Sequence, residues 1–137
     1  MPWTVEFDVI GRLVVVTGYG EMSDTDAGAQ AANAISFLRE NQSNHILIDY
    51  REAQSEVSLP RLYWLPDYFS ELGAPWNLRL AVVLPRSRYR VETYQFFELV
   101  CKNAGYHVSL FETKEAAQAW LEEDRALCAR GKQPAHA

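Results

Sequence analysis

Cysteine is scarce in this chain: 137 residues contain only Cys101 and Cys128. Two thiols cannot build a disulfide framework, and both fall on helix-patterned stretches where a thiol behaves as a small apolar side chain, so a reducing, cytoplasmic setting is expected. Histidine is nearly as rare, and His45, His107 and His136 have no cysteine or acid at ligand spacing, so neither a metal nor another cofactor is expected. Positive charge is also in short supply. Thirteen Lys and Arg against 18 Asp and Glu leave a net charge of -5, a surface that repels a phosphate backbone and argues against nucleic acid as partner. No uncharged apolar run approaches the roughly 18 residues that membrane insertion needs, and the segment from Met1 to Asp8 has neither the basic start nor the apolar stretch of an export signal. Nucleophile elbows, phosphate-cradling glycine loops and metal-ligand spacings are all missing, which excludes the common catalytic signatures and predicts a protein that is not an enzyme.

What the chain does have is apolar material, at 48% of residues, with aromatics making up 12% of the chain, which suffices for the core of one domain. Trp3, Val5, Phe7 and Val9 alternate with polar residues as in a half-buried strand. Ile10-Gly11-Arg12 turns the chain into Leu13-Val14-Val15-Val16-Thr17, a run covered on both faces and paired with the first strand as a hairpin, which Gly18-Tyr19-Gly20 ends. Ser23 caps a helix over 24–41 with Ala27, Ala31, Ala34, Ile35 and Leu38 at helical spacing. His45 to Tyr50 then reads as an interior parallel strand. Leu62, Leu65, Phe69 and Leu72 mark a second helix in which Pro60 is tolerated near the start, while Pro66 is expected to bend or interrupt it. Leu78 to Leu84 is a fourth strand stopped by Pro85. A helix over 87–104 with an apolar face of Val91, Tyr94, Phe97 and Cys101 ends at Gly105, and Tyr106 to Phe111 is the fifth strand. Thr113 caps a last helix through Ala116, Ala119, Trp120 and Leu127. The expected fold is a single α/β domain over 1–128, a mixed, mostly parallel five-stranded sheet with flanking helices in the order ββαβαβαβα, followed by a disordered tail over 129–137.

Three segments carry a resemblance: Val14 to Glu21 (VVVTGYGE) before a capped helix, His45 to Arg51 (HILIDYR), and Leu110 to Leu121 (LFETKEAAQAWL). Together they resemble the STAS/SpoIIAA-like proteins of bacteria, whose fold is shared with the lipid-binding CRAL-TRIO domains, over roughly residues 3–122. The resemblance implies a non-enzymatic regulatory or protein-interaction module switched by serine phosphorylation, and, through the CRAL-TRIO kinship, a carrier for a lipid or other small apolar anion as the alternative. In that family a D-S-x-G-like turn presents the serine after the third strand. The matching stretch here, Asp49 to Ser58, lacks that compact turn and offers Ser58 and Ser55 as the phosphorylation positions.

Ligands of parallel α/β sheets lie beyond the carboxyl ends of the strands. Three such ends supply Tyr19 and Glu21, Tyr50 and Arg51, and Arg86, Arg88 and Arg90; the last three precede or open a helix, where guanidinium groups and the helix N-terminus suit a carboxylate, a phosphate or an acidic side chain. The competing reading is a solvated loop whose arginines pair with nearby acids. Ser58 before Leu59-Pro60 is a natural N-cap, with phosphorylation as its functional alternative. Tyr63, Trp64, Tyr68 and Trp76 exceed what one core-facing stripe holds; they read as a partner-binding surface, homodimeric in its most economical form, or as a lid over a lipid-like ligand. Glu21, Asp49 and Glu52 are acids whose pairing for proton transfer needs a dry pocket, and solvated or salt-bridged acids are the expected outcome.

Overall fold

The computed structural model describes residues 2–131, with side chains as far as Leu127. The sulfur of Cys128, His136 and residues 132–137 of the tail lie outside the described residues; within them, the last helix continues to Gly131, beyond the expected end of the domain.

β1 (Trp3–Asp8) and β2 (Leu13–Met22) form the hairpin, in register from Trp3 opposite Gly18 to Asp8 opposite Leu13. There follow α1 (Asp24–Glu40), β3 (His45–Ser55), α2 (Leu59–Glu71), β4 (Arg79–Val83), α3 (Val91–Asn103), β5 (His107–Phe111) and α4 (Lys114–Gly131). The sheet order is β1-β2-β3-β4-β5, with β1 antiparallel and every later neighbour parallel. Strand alternation divides the core. Val14, Val16, Ile46, Ile48, Leu80 and Val82 pack toward α1, α2 and α3, whereas Leu13, Leu47, Ala81 and Val83 meet Ala117 and Leu121 of α4. Both faces of the inner strands are therefore covered, which is why they read as continuous apolar runs.

The expected caps form. Ser23 and Asp26 make a reciprocal capping box, the Asp26 N–H donating to Ser23 Oγ at 3.2 Å and the Ser23 N–H to Asp26 Oδ2 at 2.9 Å. Thr113 Oγ1 accepts from the Ala116 N–H at 3.1 Å at the start of α4.

Beyond shifts of a residue or so at element ends, three features differ from expectation. β2 and β3 run past Thr17 and Tyr50 because their polar extensions pair with each other, Tyr19 with Glu52 through Met22 with Ser55. Between the Thr17–Asp49 and Tyr19–Glu52 pairs β3 advances three residues while β2 advances two, a bulge that an apolar pattern does not record. α2 is one continuous helix with Pro66 inside it, so of the expected bend or interruption the interruption does not occur. Both its ends are held from outside, by Asp24 at Ser58 and by a 2.7 Å hydroxyl contact between Ser70 and Tyr106. α3 starts at Val91 rather than 87, since Arg88 (φ 57°) and Arg90 (φ 52°) adopt left-handed backbone that no helix contains.

Candidate functional site

The carboxyl ends of β2, β3 and β4 bring charged residues together, and each arginine there meets an acid. Arg51 grips Asp49 as a fork, Nε to Oδ1 at 2.9 Å and Nη2 to Oδ2 at 2.8 Å, with its own N–H on Oδ1 at 3.1 Å. Burial pushes the Asp49 carboxyl up, but the Arg51 hydrogen bonds and charge, helped by Lys114, outweigh it and hold it below the usual carboxylate range. Arg86 pairs with Glu52 and Arg88 with Glu112. Arg90 donates to the Ser55 carbonyl at 3.0 Å and lies 3.5 Å from Glu56, which also accepts from the Tyr89 hydroxyl at 2.6 Å. Tyr19 and Glu21 are exposed at the end of β2. Tyr50 leaves this group altogether, its ring turning under the sheet against Gly18. A Cβ at Gly18 would stand 2.7 Å from that ring, so only glycine fits there.

The serines and aromatics frame α2. Ser58 is its N-cap, accepting from the Arg61 N–H at 3.3 Å and donating its hydroxyl and N–H to Asp24 at 2.8 and 2.7 Å. The Ser58 backbone hydrogen bond is the main reason the Asp24 carboxyl sits below its ordinary value. Ser55 is buried at the end of β3 and accepts from the Val57 N–H. Among the four aromatics, Trp64 and Tyr68 are half-buried and stacked at 4.4 Å, with the Arg61 guanidinium 4.5 Å over the Trp64 ring. Tyr63 and Trp76 are 68% and 85% exposed, one in the helix and the other in the loop beyond it.

Beneath α2 lies a cavity of about 70 Å³. Its walls are apolar: Val16, Ile46, Ile48, Leu80 and Val82 from the sheet, and Leu62, Leu65 and Phe69 from α2. Ala27, Ala31 and Ala34 of α1 leave the space, because three methyl groups stand where longer side chains would close it. Gln30, Tyr50, Ser55, Thr93 and Tyr94 are its polar members. The Tyr50 hydroxyl donates to Gln30 Oε1 and its ring meets Tyr94 edge-on, centroids 5.9 Å apart. Tyr94 is 5% exposed and its hydroxyl has no hydrogen bond of acceptable geometry, although Ser55 lies near enough to influence its ionisation. Burial pushes that hydroxyl up to about 12 and raises the Tyr50 hydroxyl too. Of the expected ligand residues the cavity includes Tyr50 alone. The alanine stripe on α1 was the available sequence signal, but a run of small residues says nothing about how closely the facing helix packs.

On the opposite face His45, read from sequence as having no acid at ligand spacing, contacts Asp124 of α4, Nε2 to Oδ2 at 2.7 Å, and Arg79 Nε reaches Asp124 Oδ1 at 3.0 Å. Seventy-nine positions separate the histidine from that acid, so only folding could reveal the pair. Among the described residues no three His, Cys, Asp or Glu side chains form a group suited to a metal, and no helix is long and apolar enough to cross a membrane.

No protein-family model matches the sequence, and no curated protein matches it. Solved structures do. An uncharacterized DUF3478-family protein with a SpoIIAA-like fold from Shewanella loihica PV-4 is similar at TM-score 0.56 and 16% identity, over 87% of this chain and 91% of that one. The anti-sigma factor antagonist SpoIIAA in its unphosphorylated form is similar at TM-score 0.46 and 16% identity, over 90% and 96%. The phosphorylated form of the Bacillus cell fate determinant SpoIIAA is similar at TM-score 0.46 and 14% identity, over 90% and 98%. With its antiparallel first strand, four parallel successors and helices on both faces, this chain has the STAS/SpoIIAA-like fold.

Proposed function

We propose that the protein is a non-catalytic binding module of this fold that holds a small apolar molecule between α2 and the sheet. The cavity carries the reading: an apolar chamber with a few polar groups is the usual form of a small-molecule site. An empty space of about 70 Å³ in a core costs on the order of 1–2 kcal/mol, which a chain without use for it readily removes by enlarging an alanine. The volume also limits the ligand. Drug-sized sites measure roughly 300–1,000 Å³ and a cavity that takes up benzene about 150 Å³, so even a single ring enters only as α2 moves outward. Absence of catalysis is supported by the acids: Asp49 is locked by Arg51, Glu52 is paired with Arg86, and Glu21 is exposed. The test is titration of the protein with benzene, followed by amide chemical shifts. Saturable shifts confined to residues around the cavity are expected, and their absence at millimolar benzene overturns the proposal.

A second reading, a regulatory protein-interaction module, is favoured by the exposure of Tyr63 and Trp76 and by the resemblance of the sequence to STAS/SpoIIAA-like proteins. In its homodimeric form it predicts that sedimentation shows concentration-dependent self-association, lost on joint substitution of Tyr63→Ser and Trp76→Ser. A wild type that stays monomeric at all concentrations removes the homodimer.

A further inference from the structure

We propose that the cavity selects an uncharged molecule with a hydrogen-bonding oxygen, of the class of phenols and small cyclic alcohols or ketones, and rejects the corresponding carboxylates; this rests on the small-molecule reading above. Among the described residues, none that lines the cavity carries a charge. An anion placed there would lose its hydration, and Arg90, whose charge reaches Tyr94, is already held by Glu56 and the Ser55 carbonyl. Arginines beside the lining residues in the chain or at the strand ends are engaged elsewhere: Arg51 by Asp49, Arg79 by Asp124 on the other face, Arg86 by Glu52, Arg88 by Glu112, Arg90 by Glu56 and the Ser55 carbonyl, and Arg61 over the Trp64 ring. Recruiting any of them would strip an acid or, for Arg61, an aromatic ring of its partner.

The polar groups that the cavity does offer are neutral and incompletely used. Tyr94 is more than nine-tenths buried and lines the chamber, and among the described residues its hydroxyl makes no hydrogen bond within normal geometry, Ser55 being a neighbour placed too poorly to satisfy it. A buried polar atom in that condition is rare in a folded protein and invites an exogenous partner. The Tyr50 hydroxyl spends its proton on Gln30 Oε1 and keeps lone pairs to accept with, while the Thr93 hydroxyl donates to the Arg90 carbonyl at 2.7 Å. A ligand oxygen beside Tyr94 thus finds a donor in the phenol, and a ligand O–H finds an acceptor in Tyr50 or Thr93. Both tyrosines stay protonated across the physiological range, because burial raises them. Apolar walls hold the ring or chain, and this end reads the oxygen.

Three probes of one skeleton separate the possibilities: benzene, phenol and benzoate, titrated at pH 7 into wild type and Tyr94→Phe with amide shifts as the readout. Phenol is expected to bind at least tenfold more tightly than benzoate and severalfold more tightly than benzene. Tyr94→Phe should lower phenol affinity about fivefold and leave benzene unchanged. Benzoate binding as well as phenol, or phenol binding no better than benzene, overturns the selectivity while leaving the cavity as a binding site. Failure of all three probes overturns the small-molecule reading itself. Should Tyr94→Phe fail to fold, Thr93→Val replaces it, and an unaltered phenol-to-benzene ratio in that variant overturns the role assigned to the polar end.

Discussion

At the scale of single residues, the polar groups around the cavity and the strand ends divide into satisfied and unsatisfied ones. Among the described residues the buried Tyr94 hydroxyl makes no hydrogen bond within normal geometry, so Tyr94→Phe removes a desolvated polar atom at almost no loss of volume. Thermal or chemical unfolding should show the variant unchanged or stabilised by up to about 1 kcal/mol. A clear loss of stability would mean that the hydroxyl is satisfied in solution. Asp24 and Asp49 behave in the opposite way. Ser58 holds the first carboxyl and Arg51 the second below the ordinary carboxylate range. A folded value below the unfolded one, near 3.9 for Asp, gives stability that is present above the unfolded value and is lost as pH falls through the folded one. Denaturation followed from about pH 6 down to about pH 2 should therefore show stability declining once pH drops below roughly 4, and Asp49→Asn should flatten that slope.

At the scale of elements, α2 and α4 are attached to the sheet by different chemistry. α2 is held at its two ends, by the Ser58–Asp24 hydrogen bonds and the Ser70–Tyr106 hydroxyl pair, and between them it spans the cavity with Leu62, Leu65 and Phe69. α4 covers the other face with Ala117 and Leu121 and is tied down by Asp124, which takes His45 and Arg79 together. Arg79 in turn lies 4.9 Å over the Trp120 ring. Removing the shared acid leaves a buried histidine and a guanidinium without it, so Asp124→Ala is expected to destabilise by about 3 kcal/mol and to raise amide exchange in α4 before α2. An effect below about 0.5 kcal/mol, the usual size for a surface substitution, would show the cluster to be incidental.

At the scale of the whole molecule, the cavity is both a cost and the candidate site, and one substitution examines both. Ala31→Leu extends a side chain from α1 into the space, so it should raise stability by about 1 kcal/mol and abolish benzene binding. Stability lowered by overpacking, with benzene still bound, would mean that the chamber does not lie where Ala31 points.

The parts legible in the sequence were those with local physical causes. Alternation in Trp3 to Phe7 and the apolar runs at Val14 and Ile46 follow from strand geometry and two covered faces, and Ser23, Ser58 and Thr113 cap helices because their own hydroxyls satisfy nearby N–H groups. Those causes lie within a few residues of their effects, so the sequence by itself determined the element order and the α/β architecture. The remainder depended on residues far apart in the chain. The β3 bulge and the length of β2 arise from pairing between polar segments, the arginines at positions 86, 88 and 90 acquire acids from other segments, and His45 finds Asp124 across 79 positions. The cavity is the extreme case, being defined by the distance at which three helices settle over the sheet. A sequence lists the atoms that line such a space, but packing against distant partners decides whether it stays open, and only the tertiary structure contains that information.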